Sequence, residues 1–360
     1  MPQIPTLPLP PKPFRSLERF RRADAEILFG RAHDIRRIFD LAVSTSEERV
    51  IQLHGQSGVG KSSLLDAGLL PILEQRCKVV YVRRKAEEQL IGTVLEVLAG
   101  ESNVSWTDYS ELGHIPGPQK MGEAARWIWK DHIELYDKAD RPFILILDQV
   151  DEAFDSDNEE LPQELEDFFL FLREIFYNKA DRPKGKIILS YRKEHHSEID
   201  GTLYRQQLPT VQVYLRHLNR KEIIEAITGL TSAYRLQAHY NLTIEEGLPE
   251  RIADDLLQHR DSPIAPMLQI LLTKMWDKVA GDKEPAFTTQ LYEEFKGEGL
   301  DDFLEQQLDL IEQQFPEEVS SGLVLSVLHA HSTDNLKSAS LSRETGFLSP
   351  AFAPPLFTFS

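Results

Sequence analysis

Residues 55 to 62, GQSGVGKS, place three glycines, a lysine and two serines in eight positions. They satisfy the pattern G-x-x-x-x-G-K-[ST], in which a glycine-rich turn aims backbone N–H groups at phosphate oxygens. Gly55, Gln56, Ser57, Gly58, Val59, Gly60, Lys61, Ser62 and Ser63 form the candidate cradle. A helix starting near Lys61 adds its positive end, Lys61 can reach the outer phosphates, and the Ser62 hydroxyl can ligate Mg²⁺.

A phosphate cradle of this kind needs a carboxylate on a neighbouring strand to hold the hydrated metal. FILILDQVDEAF supplies it: Asp148 follows five consecutive apolar residues, at the expected carboxyl end of a buried strand. Asp151 and Glu152 come next, and either can polarise an attacking water. On the following expected strand, IILSYRKEHH, Arg192 is positioned to stabilise charge on a terminal phosphate. His195 and His196 read as loop residues, because no further ligands stand at metal spacing. Neither a Ser-His-Asp pattern nor a G-x-S-x-G elbow is present, so nucleophilic hydrolase chemistry has no support.

The elements that must position these groups are legible in outline. RVIQLHG, CKVVYVR, RPFILILD, KGKIILSYR and TVQVYLRHL read as strands, separated by helical segments such as KSSLLDAGLLPILEQR and LPQELEDFFLFLREIFYNKA. That alternation predicts an α/β fold, a parallel five-stranded sheet with helices on both faces. Beyond about residue 218 the strand signals fade into amphipathic helices, including APMLQILLTKMWDKVAG. The acidic stretch from Glu293 to Glu318 reads as a solvated face.

Composition bounds the rest. The chain has 360 residues, 41% apolar and 27% charged, ordinary for a globular protein. No apolar run approaches the ~18 residues of a membrane span, and MPQIPTLPLPPKP lacks the form of a secretory signal. With its single cysteine, Cys77, these features lead us to expect a cytoplasmic protein without disulfides. A net charge of −18 disfavours general binding to nucleic acid or anionic membrane. Between residues 12 and 37, however, eight Lys or Arg stand against four acids, and a solvated face or a small basic patch are both open. Six of the first thirteen residues are proline, which predicts an extended arm acting as a tether or strap.

Taken together and in order, LFGRAHDIRRIFDL, GQSGVGKSSLLDAGLLPIL, ILILDQVDEAF, ILSYRKEH and APMLQILLTKMW resemble the nucleotide-binding core of the STAND ATPases, relatives of the AAA+ machines that act as signalling switches. The bacterial novel STAND group, in which the cradle continues into a SSLLxAGLLPxL stretch, is the nearest in pattern. The resemblance covers about residues 14 to 345. It implies an ATP- or ADP-binding, Mg²⁺-dependent ATPase that self-associates in the ATP form and works in bacterial signalling or antiphage defence. It further implies that Phe29, Gly30 and Arg31 lie against the adenine or ribose, that Arg192 senses phosphate, and that Pro266 of a helical lid touches the base. Gly30 and Arg31 also suit a turn before a helix, and Pro266 suits any first helical turn.

The expected organisation is a Pro-rich arm (1–25), a P-loop domain (26–217), a helical lid (218–280), a winged-helix-like module (281–345) and a Phe/Pro tail (346–360). No effector domain or sensor array is visible, so the chain reads as a truncated or degenerate member. Two other functions fit the same residues: a non-hydrolysing scaffold that holds a nucleotide, and a DNA loader of the AAA+ type.

Overall fold

The computed structural model describes residues 8–85, 88–102, 117–135, 137, 139–154, 161–258 and 263–296, with 311, 313, 315 and 321. Residues 1–297 and 298–360 are separate compact units, and every element below belongs to the first. Most of the expected winged-helix module and all of the tail lie outside the described residues.

Five strands, β1 (Val50–Gly55), β2 (Lys78–Arg83), β3 (Phe143–Asp148), β4 (Lys186–Arg192) and β5 (Thr210–Tyr214), form one parallel sheet in the order β2-β3-β4-β1-β5. The three central strands are buried almost throughout, which explains their unbroken apolar runs, whereas the edge strands β2 and β5 are mostly half-exposed. One departure from expectation concerns adjacency. Asp148 does not stand on the neighbour of the P-loop strand: β4 is inserted between β1 and β3, pairing Leu53 with Ser190 on one side and Ile146 with Ile188 on the other.

Strand alternation divides the core. Val50, Leu145, Leu147, Ile187, Leu189 and Tyr191 face helices Gln89–Ser102, Pro118–Trp127, Leu161–Phe176 and His196–Arg205. Ile51, Leu53, Ile144, Ile146 and Ile188 face the opposite layer, made by helix Ala32–Val43 and the P-loop helix. Cys77 is buried in this second layer. A buried carboxylate ties the sheet together at its start, as Glu134 accepts from the backbone N–H of Phe143, Lys184 and Gly185 and from Trp129 Nε1. Such a group would be costly without those four donors.

The P-loop helix is a continuous stretch: an α-helical turn Lys61–Ser63, a π-helical segment Leu64–Leu69 and a second α-helical turn Leu70–Leu73. Every residue from Leu64 to Leu73 is buried. Its small residues have a packing reason. A Cβ at Gly68 would lie 2.5 Å from Ile35 Cδ1 of the neighbouring helix, so any larger residue here would have to displace the Ile35 side chain.

Residues 219–296 form a helical region around a core of their own, which includes Ile223, Ile252, Leu268 and Trp276. It continues past residue 280, since Phe287, Leu291 and Tyr292 belong to the same cluster. Sequence periodicity missed a two-residue parallel pair here, Thr243–Ile244 with Ala286–Phe287. The N-terminal arm packs into this region too, through Phe14 and Phe20, followed by Ile27. Arm and helix Ile264–Val279 are joined by Arg15 N to Gln269 Oε1 (3.1 Å), Ser16 N to Thr273 Oγ1 (3.0 Å) and Lys12 Nζ to Asp277 (2.7 Å). Among the described residues, no helix is long and apolar enough to cross a membrane.

Candidate nucleotide-binding site

The site lies at the carboxyl ends of the strands, where a parallel sheet opens a crevice. β1 ends at Gly55, and the chain turns through residues 56–60 into the helix at Lys61. Gly58 and Gly60 have φ of 72° and 96°, a left-handed conformation that side chains disfavour. Around a Cβ placed on Gly60 there is nothing within 4 Å, so the space over this residue is open. Gly55 is constrained differently, as a Cβ there would lie 2.6 Å from the Leu215 carbonyl oxygen.

Lys61 Nζ donates to the carbonyls of Gly55 (2.9 Å) and Gln56 (3.1 Å), drawn back over the turn. Burial lowers its pKa, while Asp151 and Asp148 act to raise it, so both carboxylates lie within its field. Gln56 is bonded to His217 just beyond β5. Ser62 and Ser63 begin the helix, and Ser63 Oγ accepts the backbone N–H of Phe20 from the arm (3.1 Å).

Asp148 closes β3 and is 1% exposed. Alternation puts it with Ile144 and Ile146, on the P-loop helix side of the sheet. Its two oxygens accept from Tyr81 Oη (2.6 Å) and from the N–H of Gln149 (3.0 Å), a residue held at φ 61°. Asp151, 2% exposed, accepts from the backbone N–H of Arg192 (3.2 Å) and is ion-paired with its guanidinium, Nε lying 3.1 Å from Oδ2. Burial pushes the Asp151 carboxyl up, and Arg192 and Lys61 pull it down. Glu152 is half-buried; burial raises its carboxyl, with Arg83 opposing.

Asp148, Asp151, Lys61 and Arg192 are thus brought together. The site fits Mg²⁺ with a phosphate ester. No cluster of three or more His, Cys, Asp or Glu exists among the described residues, so a metal here relies on one carboxylate, a serine, water and phosphate oxygens. Buried orphan atoms at Arg83 Nε and Gln149 Oε1, flanking Asp148, leave polar groups for water or ligand to satisfy.

Phe29, Gly30 and Arg31 sit at the junction with the helical region 219–296. Phe29 packs on Gly229, where a Cβ would meet its ring at 2.2 Å, and Gly30 lies under the Glu222 carbonyl. Arg31, 5% exposed, donates to the carbonyls of Val59 (2.7 Å) and Arg216 (2.9 Å) and pairs with Asp34. Its guanidinium therefore braces the P-loop backbone from behind. Pro266 stands in the first turn of Ile264–Val279, 3.4 Å from a Cβ built on Gly58, and Pro263 lies at the same distance. Sequence reasoning missed Pro263, although N-terminal proline pairs are a recognisable helix-start signal.

Two more groups escaped it. Tyr81 on β2 is one. The other is a stack beneath the P-loop, in which His54 lies 3.9 Å from His196 and 5.7 Å from Tyr191, ring centre to ring centre. Tyr191 Oη donates to Gln52 Oε1 (2.5 Å). His196 is thus a packing residue, and His195 stacks on Phe154 instead.

A parallel sheet with this loop, this lysine and this strand-end carboxylate defines a P-loop NTPase. Family comparison narrows the class: residues 13–335 match the family nSTAND1, Novel STAND NTPase 1, and the chain belongs to it. Among solved structures, the Aeropyrum pernix ORC2 protein in ADPNP-ADP complexes is similar at 14% identity and TM-score 0.50, covering 75% of this chain and 67% of that one. The Aeropyrum pernix ORC1 protein in complex with DNA is similar at 11% identity and TM-score 0.50, covering 85% and 74%. Both likenesses concern the fold. No curated protein matches the sequence.

Proposed function

We propose that the protein is an ATP-binding, Mg²⁺-dependent ATPase that acts as a STAND signalling switch, in bacterial signalling or antiphage defence. One observation carries this reading: Lys61, Asp148, Asp151 and Arg192 share one strand-end crevice, and lid residues Pro263 and Pro266 lie against P-loop Gly58. Within it, Lys61 leaves the Gly55 and Gln56 carbonyls for phosphate oxygens, and the loop N–H groups replace water around them. Asp148 and Ser62 would hold Mg²⁺, which when bound would neutralise phosphate charge. Glu152 takes the proton of the attacking water, because its raised carboxyl is free of the Arg192 pair that holds Asp151. Asp151 keeps Arg192 aimed until phosphate competes for it.

The lid makes the site a switch. Its prolines rest on the turn whose shape depends on phosphate, so nucleotide state and lid position are coupled. Self-association in the ATP form belongs to the same proposal. Mass spectrometry of copurifying nucleotide with native mass tests binding and assembly, and phosphate release tests hydrolysis. Release from the wild type that Glu152→Gln abolishes supports the reading; retained nucleotide without release would leave the scaffold in its place. A DNA-loading role is disfavoured by the net charge of −18 and by the arm, where Lys12, Arg15, Arg19 and Arg22 pair with Asp277, Asp24, Asp66 and Glu74. A salt-dependent DNA-binding assay decides that point.

A further inference from the structure

β2 carries no recognisable motif, yet it contributes to the site. Tyr81 pairs in register with Ile146, so Asp148 is its diagonal neighbour two residues on, within reach of a tyrosine hydroxyl across a parallel ladder. Tyr81 shares the side of the sheet occupied by the P-loop helix. Its Oη donates to Asp148 Oδ2 at 2.6 Å, in the range of a charge-assisted bond. The hydroxyl is itself held: Arg19 Nη1 donates to Tyr81 Oη at 3.0 Å, and the same guanidinium lies 5.7 Å from the ring centre.

Arg19 comes from the N-terminal arm. Directly after it the arm is fastened to the P-loop helix, by Phe20 N to Ser63 Oγ (3.1 Å) and Arg22 N to Asp66 Oδ1 (3.1 Å), while Arg19 Nη2 lies 3.6 Å from Asp66 Oδ2. A chain of direct contacts therefore runs from the arm, through Tyr81, to the carboxylate expected to hold the metal. With Gln149 N–H on Oδ1, both oxygens of Asp148 have a fixed donor and the carboxylate plane has one orientation.

We infer that Tyr81 is a positioning residue for Asp148, anchored by Arg19, and that docking of the arm thereby sets the affinity of the nucleotide site for Mg²⁺. The inference rests on the nucleotide-site reading above. A ligand carboxylate that rotates freely loses affinity for a metal that demands strict geometry, and outer partners of ligands commonly change it 10- to 100-fold.

The test is a titration of the full chain with a fluorescent ADP analogue, in EDTA and across Mg²⁺ concentrations. Tyr81→Phe, which removes one oxygen, is expected to leave affinity in EDTA within about twofold and raise the Mg²⁺ midpoint about tenfold. Arg19→Ala is expected to move the midpoint the same way by about threefold, with no further effect in a Tyr81→Phe background. A midpoint unchanged in Tyr81→Phe, while Asp148→Asn raises it, overturns the positioning role and leaves the site reading intact. A midpoint unchanged in Asp148→Asn overturns the site reading itself. If Tyr81→Phe melts far below the wild type, Arg19→Ala decides alone, and an unchanged midpoint there counts against the inference.

Discussion

Asp151 and Glu152 are adjacent in sequence and differ in what holds them, so their amide variants should separate. Asp151→Asn breaks a buried pair with Arg192 and is expected to lower unfolding stability by about 3 kcal/mol, read by urea melts. Glu152→Gln lacks that cost and should reduce phosphate release by at least about a hundredfold at near-native stability. Equal stability loss in both would remove the distinction. The sequence displayed the two carboxylates but left their roles open, because the partner of Asp151 stands 41 residues away at the end of β4. Arg31 teaches the same lesson. The family resemblance implies that it touches the nucleotide, while the two backbone carbonyls around its guanidinium are visible only in the fold.

At the scale of elements, β1 meets the P-loop through His54, which stacks on His196. Burial, then the neighbouring His196 and Lys61, hold its pKa down at about 4 against an ordinary 6.5, with Asp200 opposing. The unfolded chain therefore binds this proton more readily. Stability from this group is complete above pH 6.5 and declines as pH falls, by on the order of 3 kcal/mol near pH 4. Urea melts from pH 7.5 to 4.5 should show a shallower decline in His54→Phe, which keeps a ring in the stack. An identical decline would mean His54 titrates normally. The junction of Phe29 with helix Arg220–Ser232 yields another test, since Gly229→Ala drives a methyl into the Phe29 ring. We expect a loss of about 1–3 kcal/mol and faster proteolysis near residue 29. Strands and helices were legible because burial on two faces or one leaves a period; the strand order was not, since local pattern carries no information about β4 entering between β1 and β3.

At the largest scale, the arm joins the P-loop helix to helix Ile264–Val279. The basic stretch at residues 12–37 was legible as charge alone; its acidic partners Asp66, Glu74 and Asp277 are distant in sequence, so stitching and solvation look alike there. Nucleotide with Mg²⁺ at a hundred times its Kd should add about 2.7 kcal/mol to stability, visible as a raised melting temperature that Lys61→Ala removes. Cys77 has an experimental consequence. It is the chain's one cysteine, it is buried, and burial pushes its thiol up to about 11, so almost no thiolate exists at neutral pH. Maleimide dyes will pass over it. The natural background is therefore ready for single-site labelling, and Leu17→Cys, at an arm position 48% exposed, would carry one fluorophore to report arm movement in real time.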